Sequence, residues 1–286
     1  MTTNHTSKIS ELADGFELFE SEGHNLSVSF ENDRLNEIDQ SESSGVSVRA
    51  VKEGKIGFSY SSKREDIDQV CESAVRMAPF GKPHNYEFAS SVMAEGKLDY
   101  DESCGKLDVK KLVNLGNEVK KIIKDIAPDA MMGASFSGAL GKSRLANSKG
   151  QDCTQRGSAF SYFVSASISE EGNFVSVYDF EHKPSMIGEQ SVLETTRKVA
   201  AEFNLARKVV DFKAGEYSIL IDPKTLSDFL MPIGVSVNGI NIVKKTSSFI
   251  DSVGEQLFDS RLTIVDDPLL PNGPNSTLYD GEGSLT

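Results

Sequence analysis

The fold is decided by the run Val46-Ser47-Val48-Arg49-Ala50-Val51, Lys52-Glu53-Gly54-Lys55, Ile56-Gly57-Phe58-Ser59-Tyr60, together with the helix-forming residues 62–78 immediately downstream of it. The last five residues of the run alternate apolar and polar side chains, and so does Leu26-Ser27-Val28-Ser29-Phe30 upstream, which is the period-two pattern of half-buried strands. Leu35 to Ile38 and Val46 to Val51 lie between them. The tetrads Glu31-Asn32-Asp33-Arg34 and Lys52-Glu53-Gly54-Lys55 supply the turn residues of an antiparallel meander. A helix is expected next, opened by the capping-box pattern Ser62-x-x-Glu65, with Ile67, Val70, Cys71, Ala74, Val75 and Ala78 on one stripe. Pro79 and Gly81 end it. One amphipathic helix after a meander implies a two-layer α/β sandwich over residues 12–88.

Working outward, Pro83-His84-Asn85-Tyr86 is turn chemistry, and Ala89 to Lys106 reads as a linker. A second α+β module is expected over 107–212. Asp108 is placed to cap a helix carrying Val109, Leu112, Val113, Val119, Ile122 and Ile126, which stops before Pro128. Strand-like runs come next at Met131 to Phe136, Ala159 to Ile168 and Phe174 to Tyr178, and a helix from Gly188 to about Arg207 closes the module. Short sheet segments joined by Gly-bearing connections favour α+β over a doubly wound sheet.

The 286 residues exceed one typical domain. A formal net charge of −13 argues against a nucleic-acid backbone as the main partner, because such binders concentrate Lys and Arg to displace counterions. The polar opening Met1 to Ser10 has no signal-peptide core, and no run approaches the roughly 20 apolar residues of a membrane span. A cytoplasmic location is therefore expected. Cys71, Cys104 and Cys153 are widely spaced and odd in number, as expected of free thiols in a reducing compartment. Cys71 falls on the helix stripe; Cys104 and Cys153 are read into polar loops.

Residues 214–286 carry the pieces most easily tied to chemistry. A strand-like run, Glu216 to Ile221, stops at Asp222-Pro223, and a helical segment, Lys224 to Met231, leads to a turn region through Gly234 and Gly239. Then come Thr246-Ser247-Ser248-Phe249, Val253-Gly254-Glu255, Leu262-Thr263-Ile264-Val265-Asp266-Asp267-Pro268 and Tyr279-Asp280-Gly281-Glu282-Gly283. Asp266, Asp267, Asp280 and Glu282 could form a hard-cation site or an acid/base pair, against the simpler reading that they are turn formers. His5, His24, His84 and His182 each stand alone, with no His or Cys at metal-ligand spacing. Neither a phosphate loop nor a Gly-x-Ser-x-Gly nucleophile elbow is present.

In this order and spacing the pieces of residues 214–286 resemble the third region of the TldD/PmbA family, once described as gyrase modulators and now regarded as metallopeptidases. Val46 to Tyr60 and the helix–strands–helix order of 107–212 resemble its first and second regions. The catalytic branch carries a His-Glu-x-x-x-His zinc motif upstream of Thr-Ser-x-Phe; counting back from Thr246, its positions fall on Leu230, Met231 and Val235. None of these can ligate a metal or move a proton. The resemblance is therefore to the PmbA/TldE branch. It implies a β-rich C-terminal region, short relative to the family, and no catalytic or metal residue of this chain's own. It further implies zinc only in a TldD-like partner, an unfolded peptide as substrate, and Gly254, Glu255, Asp266, Asp267, Asp280 and Glu282 as cleft-shaping candidates. The alternative is a standalone binding or scaffold protein, paired with itself as a homodimer.

Overall fold

The computed structural model describes residues 9–85, 87–90, 98–170, 173–208 and 210–286. The reading of the first residues as a polar leader-free start, of Tyr86 as part of a turn and of the middle of the linker falls on residues 1–8, 86 and 91–97, outside the described residues.

Six strands form one antiparallel sheet in the order β3-β2-β1-β4-β5-β6. They are β1 (Gly15–Glu31), β2 (Arg34–Lys52), β3 (Lys55–Ser61), β4 (Met131–Asn147), β5 (Asp152–Glu170) and β6 (Asn173–Lys183). The α+β class and the antiparallel meander are as expected. Both tetrads are tight hairpins: Asn32 and Asp33 have φ of 50° and 67°, and Glu53 and Gly54 have φ of 51° and 71°. Two consecutive positive φ values are what the right-handed twist of a two-residue hairpin requires. The pairing of β1 with β4, from Glu17↔Asn147 to Phe30↔Ala134, makes the two sets of strands one continuous sheet.

The helices lie on one face of it. Helix α1 (Ile67–Met77) buries Ile67, Val70, Cys71 and Ala74 against Phe16, Leu18, Val46, Val48 and Ala50. It sits very close to β3: a Cβ at Gly57 would lie 2.1 Å from the Ala74 carbonyl oxygen, so only glycine fits. The expected capping box does not form. The chain instead makes a 3-10 turn at Arg64–Asp66, and the Ser61 hydroxyl donates to Asp66, so the helix starts at Ile67 without a side-chain cap. Helices α2 (Val109–Ile126) and α3 (Glu189–Ala206) cover the far end of the same face and build a second, larger core around Phe30, Met132, Phe136, Phe160, Val164, Val119 and Phe203. Asp108 caps α2 as expected, accepting from the Lys110 and Lys111 amides.

Between the two cores the same face is polar. On β1 the residues aimed at the helices run Phe16, Leu18, Glu20, Glu22, His24, Leu26, Val28 and Phe30, so the apolar pattern is interrupted for three positions. The opposite face is built largely of small polar residues such as Ser27, Ser29, Ser135, Ser137 and Ser161, with the Ser137 and Ser161 hydroxyls 2.9 Å apart.

Part of the segment expected to be a linker is packed. A 3-10 turn at Glu102–Gly105 buries Cys104 completely, and the Asp101 amide donates to Ser158 Oγ at 2.8 Å.

Contacts divide the chain into two units, Met1–Val209 with Asp267–Thr286, and Val210–Asp266. The second holds α4 (Leu226–Val237) and α5 (Gly239–Val243), and none of its described residues is buried. The β-rich character expected of residues 214–286 is not seen there. Glu216 to Ile221 and Leu262 to Val265 join no ladder among the described residues, and Ile219 and Leu220 are exposed. Strand-forming side chains supply propensity, but a strand also needs a neighbour to take its backbone hydrogen bonds. Gly234, expected in a turn, lies inside α4.

Candidate functional site

The acidic residues near the C-terminus of the chain meet the sheet. Asp280 works first as a turn residue, its Oδ1 accepting from the Glu282 amide at 2.8 Å and the Ser284 amide at 2.9 Å. That turn presents Glu282, whose Oε2 lies 2.6 Å from Nη1 of Arg49 on β2. The same Nη1 lies 3.2 Å from Oε1 of Glu17 on β1. Glu17 is only 4% exposed, and its Oε2 has no hydrogen-bond partner among the described residues. Burial pushes the Glu17 carboxyl up to about 7; Arg49 opposes this, while Glu282 and Asp280 add to it. Arg49, Phe88, Asp280 and Glu282 line an open cavity of about 570 Å³. Gln155 of β5 and Gln151 tie the segment down, accepting from the Leu278 amide and donating to the Gly283 carbonyl.

The other candidate residues lie elsewhere. Asp267 is used locally, accepting from the Leu269 amide at 3.0 Å. Asp266, Gly254 and Glu255 belong to the second unit, with Gly254 in a turn at φ 87°. Leu230, Met231 and Val235 all sit on α4, where Met231 and Val235 are mostly exposed. Leu230 and Val235 carry no donor atom and the Met231 thioether is only a weak, soft one, so the three do not supply the imidazole, thiolate or carboxylate ligands that hold zinc. Among the described residues no three His, Cys, Asp or Glu side chains come together as a metal-binding group.

The sequence places Cys104 and Cys153 in polar loops, and the structure corrects both. Cys104 is fully buried and Cys153 lies in β5, itself buried. Burial, helped by the charge of Asp101, pushes the Cys104 thiol up to about 11, and burial likewise raises that of Cys153. Thiolate is the reactive form. The folded chain is therefore expected to show no rapidly reacting thiol at neutral pH in a chromogenic disulfide assay, and all three thiols once unfolded in urea. Fast native labelling would contradict the burial of all three.

The polar interruption between the two cores is not evident from the sequence pattern. Glu20 is buried yet accepts from Arg64 Nε at 2.6 Å and from Arg144 Nη1 at 2.9 Å. Burial pushes its carboxyl up, but the bonds to Arg64 and Arg144 outweigh this and hold it below the ordinary value. Arg144 also grips Asp152 through two bonds, at 2.8 and 2.7 Å. Beside this network lies an open groove of about 690 Å³. The available signal was the run Glu20, Glu22, His24 at alternate positions of one strand, where apolar residues stand on either side.

The family models for domain 1, the central domain and the C-terminal domain of PmbA/TldA metallopeptidases match residues 16–78, 102–212 and 214–286. An uncharacterised protein of Methanocaldococcus jannaschii is 26% identical over 276 residues, 92% of this chain and 61% of that protein. A metalloprotease of the same archaeon is 22% identical over 291 residues, 96% of this chain and 63% of its own length. This chain thus spans about three fifths of the length of these relatives. Its fold is similar to that of TldE from Thermococcus kodakarensis, with a TM-score of 0.87 at 17% identity, over 99% of this chain and 65% of the other. It is likewise similar to a Thermotoga maritima protein described as a candidate modulator of a DNA gyrase, with a TM-score of 0.89 at 19% identity, over 100% of this chain and 67% of that one.

Proposed function

Because the chain belongs to the PmbA/TldD metallopeptidase family, we propose that it is a non-catalytic, TldE/PmbA-like subunit of a cytoplasmic two-chain zinc peptidase. Its partner is a TldD-like chain that holds the zinc, and its own part is to wall the chamber and position unfolded peptide. What supports the reading is the sequence count: back from Thr246, the positions of the catalytic branch's two zinc-binding histidines and its glutamate fall on Leu230, Met231 and Val235. No proton or metal chemistry is assigned to this chain. The absence of any helix long and apolar enough to cross a membrane, among the described residues, is compatible with a cytoplasmic role. Glu282, Arg49 and Glu17 then serve as a rim that fixes residues 280–284 on the sheet.

Metal content and peptide cleavage, measured on the purified chain alone and mixed with a TldD-like chain from the same genome, test this. The chain alone is expected to hold no stoichiometric zinc and to cleave nothing, and the mixture to form a complex whose cleavage rate or specificity differs from that of the partner alone. Zinc-dependent cleavage by the single chain, or a partner unaffected by mixing, would refute it.

A further inference from the structure

The groove between the two cores is organised by register. Glu22 on β1 faces Ser44 on β2 on one side and Lys142 on β4 on the other, and Lys142 in turn faces Arg156 on β5. In the next row His24 faces Glu42 on β2 and Leu140 on β4. Facing residues in antiparallel strands share a side of the sheet, so all of these project toward the space that α1 leaves uncovered at one end and α2 and α3 at the other. Carboxylates therefore stand along the β1/β2 wall, and cations along the β4/β5 wall.

The cations are not equivalent. Lys142 Nζ lies 3.5 Å from one oxygen of Glu22 and is partly neutralised, while Arg64 Nη1 lies 3.9 Å from the other. Arg144, deeper in the sheet, is used up by Glu20 and Asp152. The Arg156 guanidinium lines the groove and has no hydrogen-bond or ion-pair partner among the described residues, in a chain whose net charge is −13. Leu140 and the partly exposed Tyr100 give the groove an apolar side between its charged walls.

Strands are spaced about 4.8 Å apart, so Glu22 and Arg156, two strands apart in one row, are separated by about 10 Å, and Glu42, one strand further and two residues along, by about 16 Å. Extended chain advances about 3.3 Å per residue, so these distances correspond to about three and five residues. We infer that this groove binds a short zwitterionic peptide of about three to five residues, its carboxylate on Arg156, its ammonium against Glu22 for the shortest and Glu42 for the longest, and an apolar side chain on Leu140 and Tyr100. A guanidinium presents the paired donors that a terminal carboxylate accepts. The assignment rests on the peptidase reading for its relevance, since such peptides are what a peptidase releases, and places a product-sized ligand on the sheet itself.

Calorimetric titration of the purified chain with Ala-Phe-Ala, its C-terminal amide and its N-acetyl form tests the inference. The free peptide is expected to bind saturably, and the amide about tenfold more weakly, as fits loss of a charge-assisted contact. Arg156→Ala should lower affinity for the free acid to that for the amide and leave the amide unchanged, while Arg156→Lys keeps part of the difference. Glu22→Gln should weaken the free amine form and not the N-acetyl form. Equal binding of acid and amide to the wild-type chain, no saturable binding, or indifference to Arg156→Ala would overturn the assignment. Since the titration needs neither partner nor turnover, a chain that binds the free acid but fails to pair with a zinc-bearing relative would sink the subunit reading alone. One that pairs and does not bind would sink only this one.

Discussion

Phe136→Ala is expected to lower the stability of the sheet-bearing unit by about 3–5 kcal/mol, read from the urea midpoint followed by circular dichroism. Phe136 is fully buried in the larger core, where α2 and α3 meet β1, β4 and β5. Truncation there removes the transfer energy of a ring and leaves a cavity that a closely packed interior cannot collapse. The matched control is Phe174→Ala on β6, where the ring is 71% exposed and a change within about 0.5 kcal/mol is expected. Equal losses at the two sites would mean that the helix-covered face is not the core.

Glu17→Gln is expected to make the chain more stable above neutral pH. The folded-state value of about 7 lies above the ordinary 4.5, so folding takes up a proton between these limits. The contribution is fully present below pH 4.5 and is lost as the pH rises through about 7. Gln is isosteric with the protonated acid and does not ionise. The shift corresponds to at most about 3 kcal/mol, and to nearer 1–2 kcal/mol once solvent screening at the rim is counted. Wild type and variant should therefore coincide below pH 4.5 and separate by that amount well above pH 7, with the variant the more stable. A variant less stable than wild type above pH 7 would show that the Arg49 pair outweighs desolvation and that the Glu17 carboxyl is not raised.

These two residues also show which parts of the structure are legible in the sequence. Phe136 ends the run Met131 to Phe136, and Leu26 to Phe30 lies opposite it; both read as strands because one face is buried and the other is not. The first half of β1 does not. From Gly15 to Asn25 the apolar residues Phe16, Leu18 and Phe19 fall on both faces and the polar residues do too, with Glu17, Ser21 and Asn25 on one and Glu20, Glu22 and His24 on the other, so period-two hydrophobicity has little to register. Residues Arg34 to Gly45 of β2 are almost wholly exposed and, beyond Leu35 and Ile38, carry no apolar signal. Asp280 and Glu282 stand out as a motif, but the meeting of Glu282 with Arg49 spans 233 positions of sequence, a distance over which a single chain gives no pairing information. Glu216 to Ile221 shows the converse, strand-like side chains without a neighbouring strand. The Cys104 thiol reads as a loop residue because the composition around it is polar, whereas its burial comes from a turn packed against Leu140 through Gly105.

The placing of β1 in the middle of the sheet has a consequence for synthesis. Its partner on one side, β2, is made at once, and β3 and α1 complete a small folded unit soon afterwards. Its partner on the other side, β4, arrives far later: the contact from the Phe16 amide to the Ser148 hydroxyl closes a separation of 132 residues. A ribosome working at about 5–20 residues per second needs roughly 7–26 s to cover that span, far longer than a hairpin takes to form. During that interval a strand destined for the interior of the sheet presents an open row of backbone donors and acceptors to every other nascent chain nearby. The charged residues Glu17, Glu20, Glu22 and His24, which make β1 hard to recognise, also make that temporary edge a poor template for pairing.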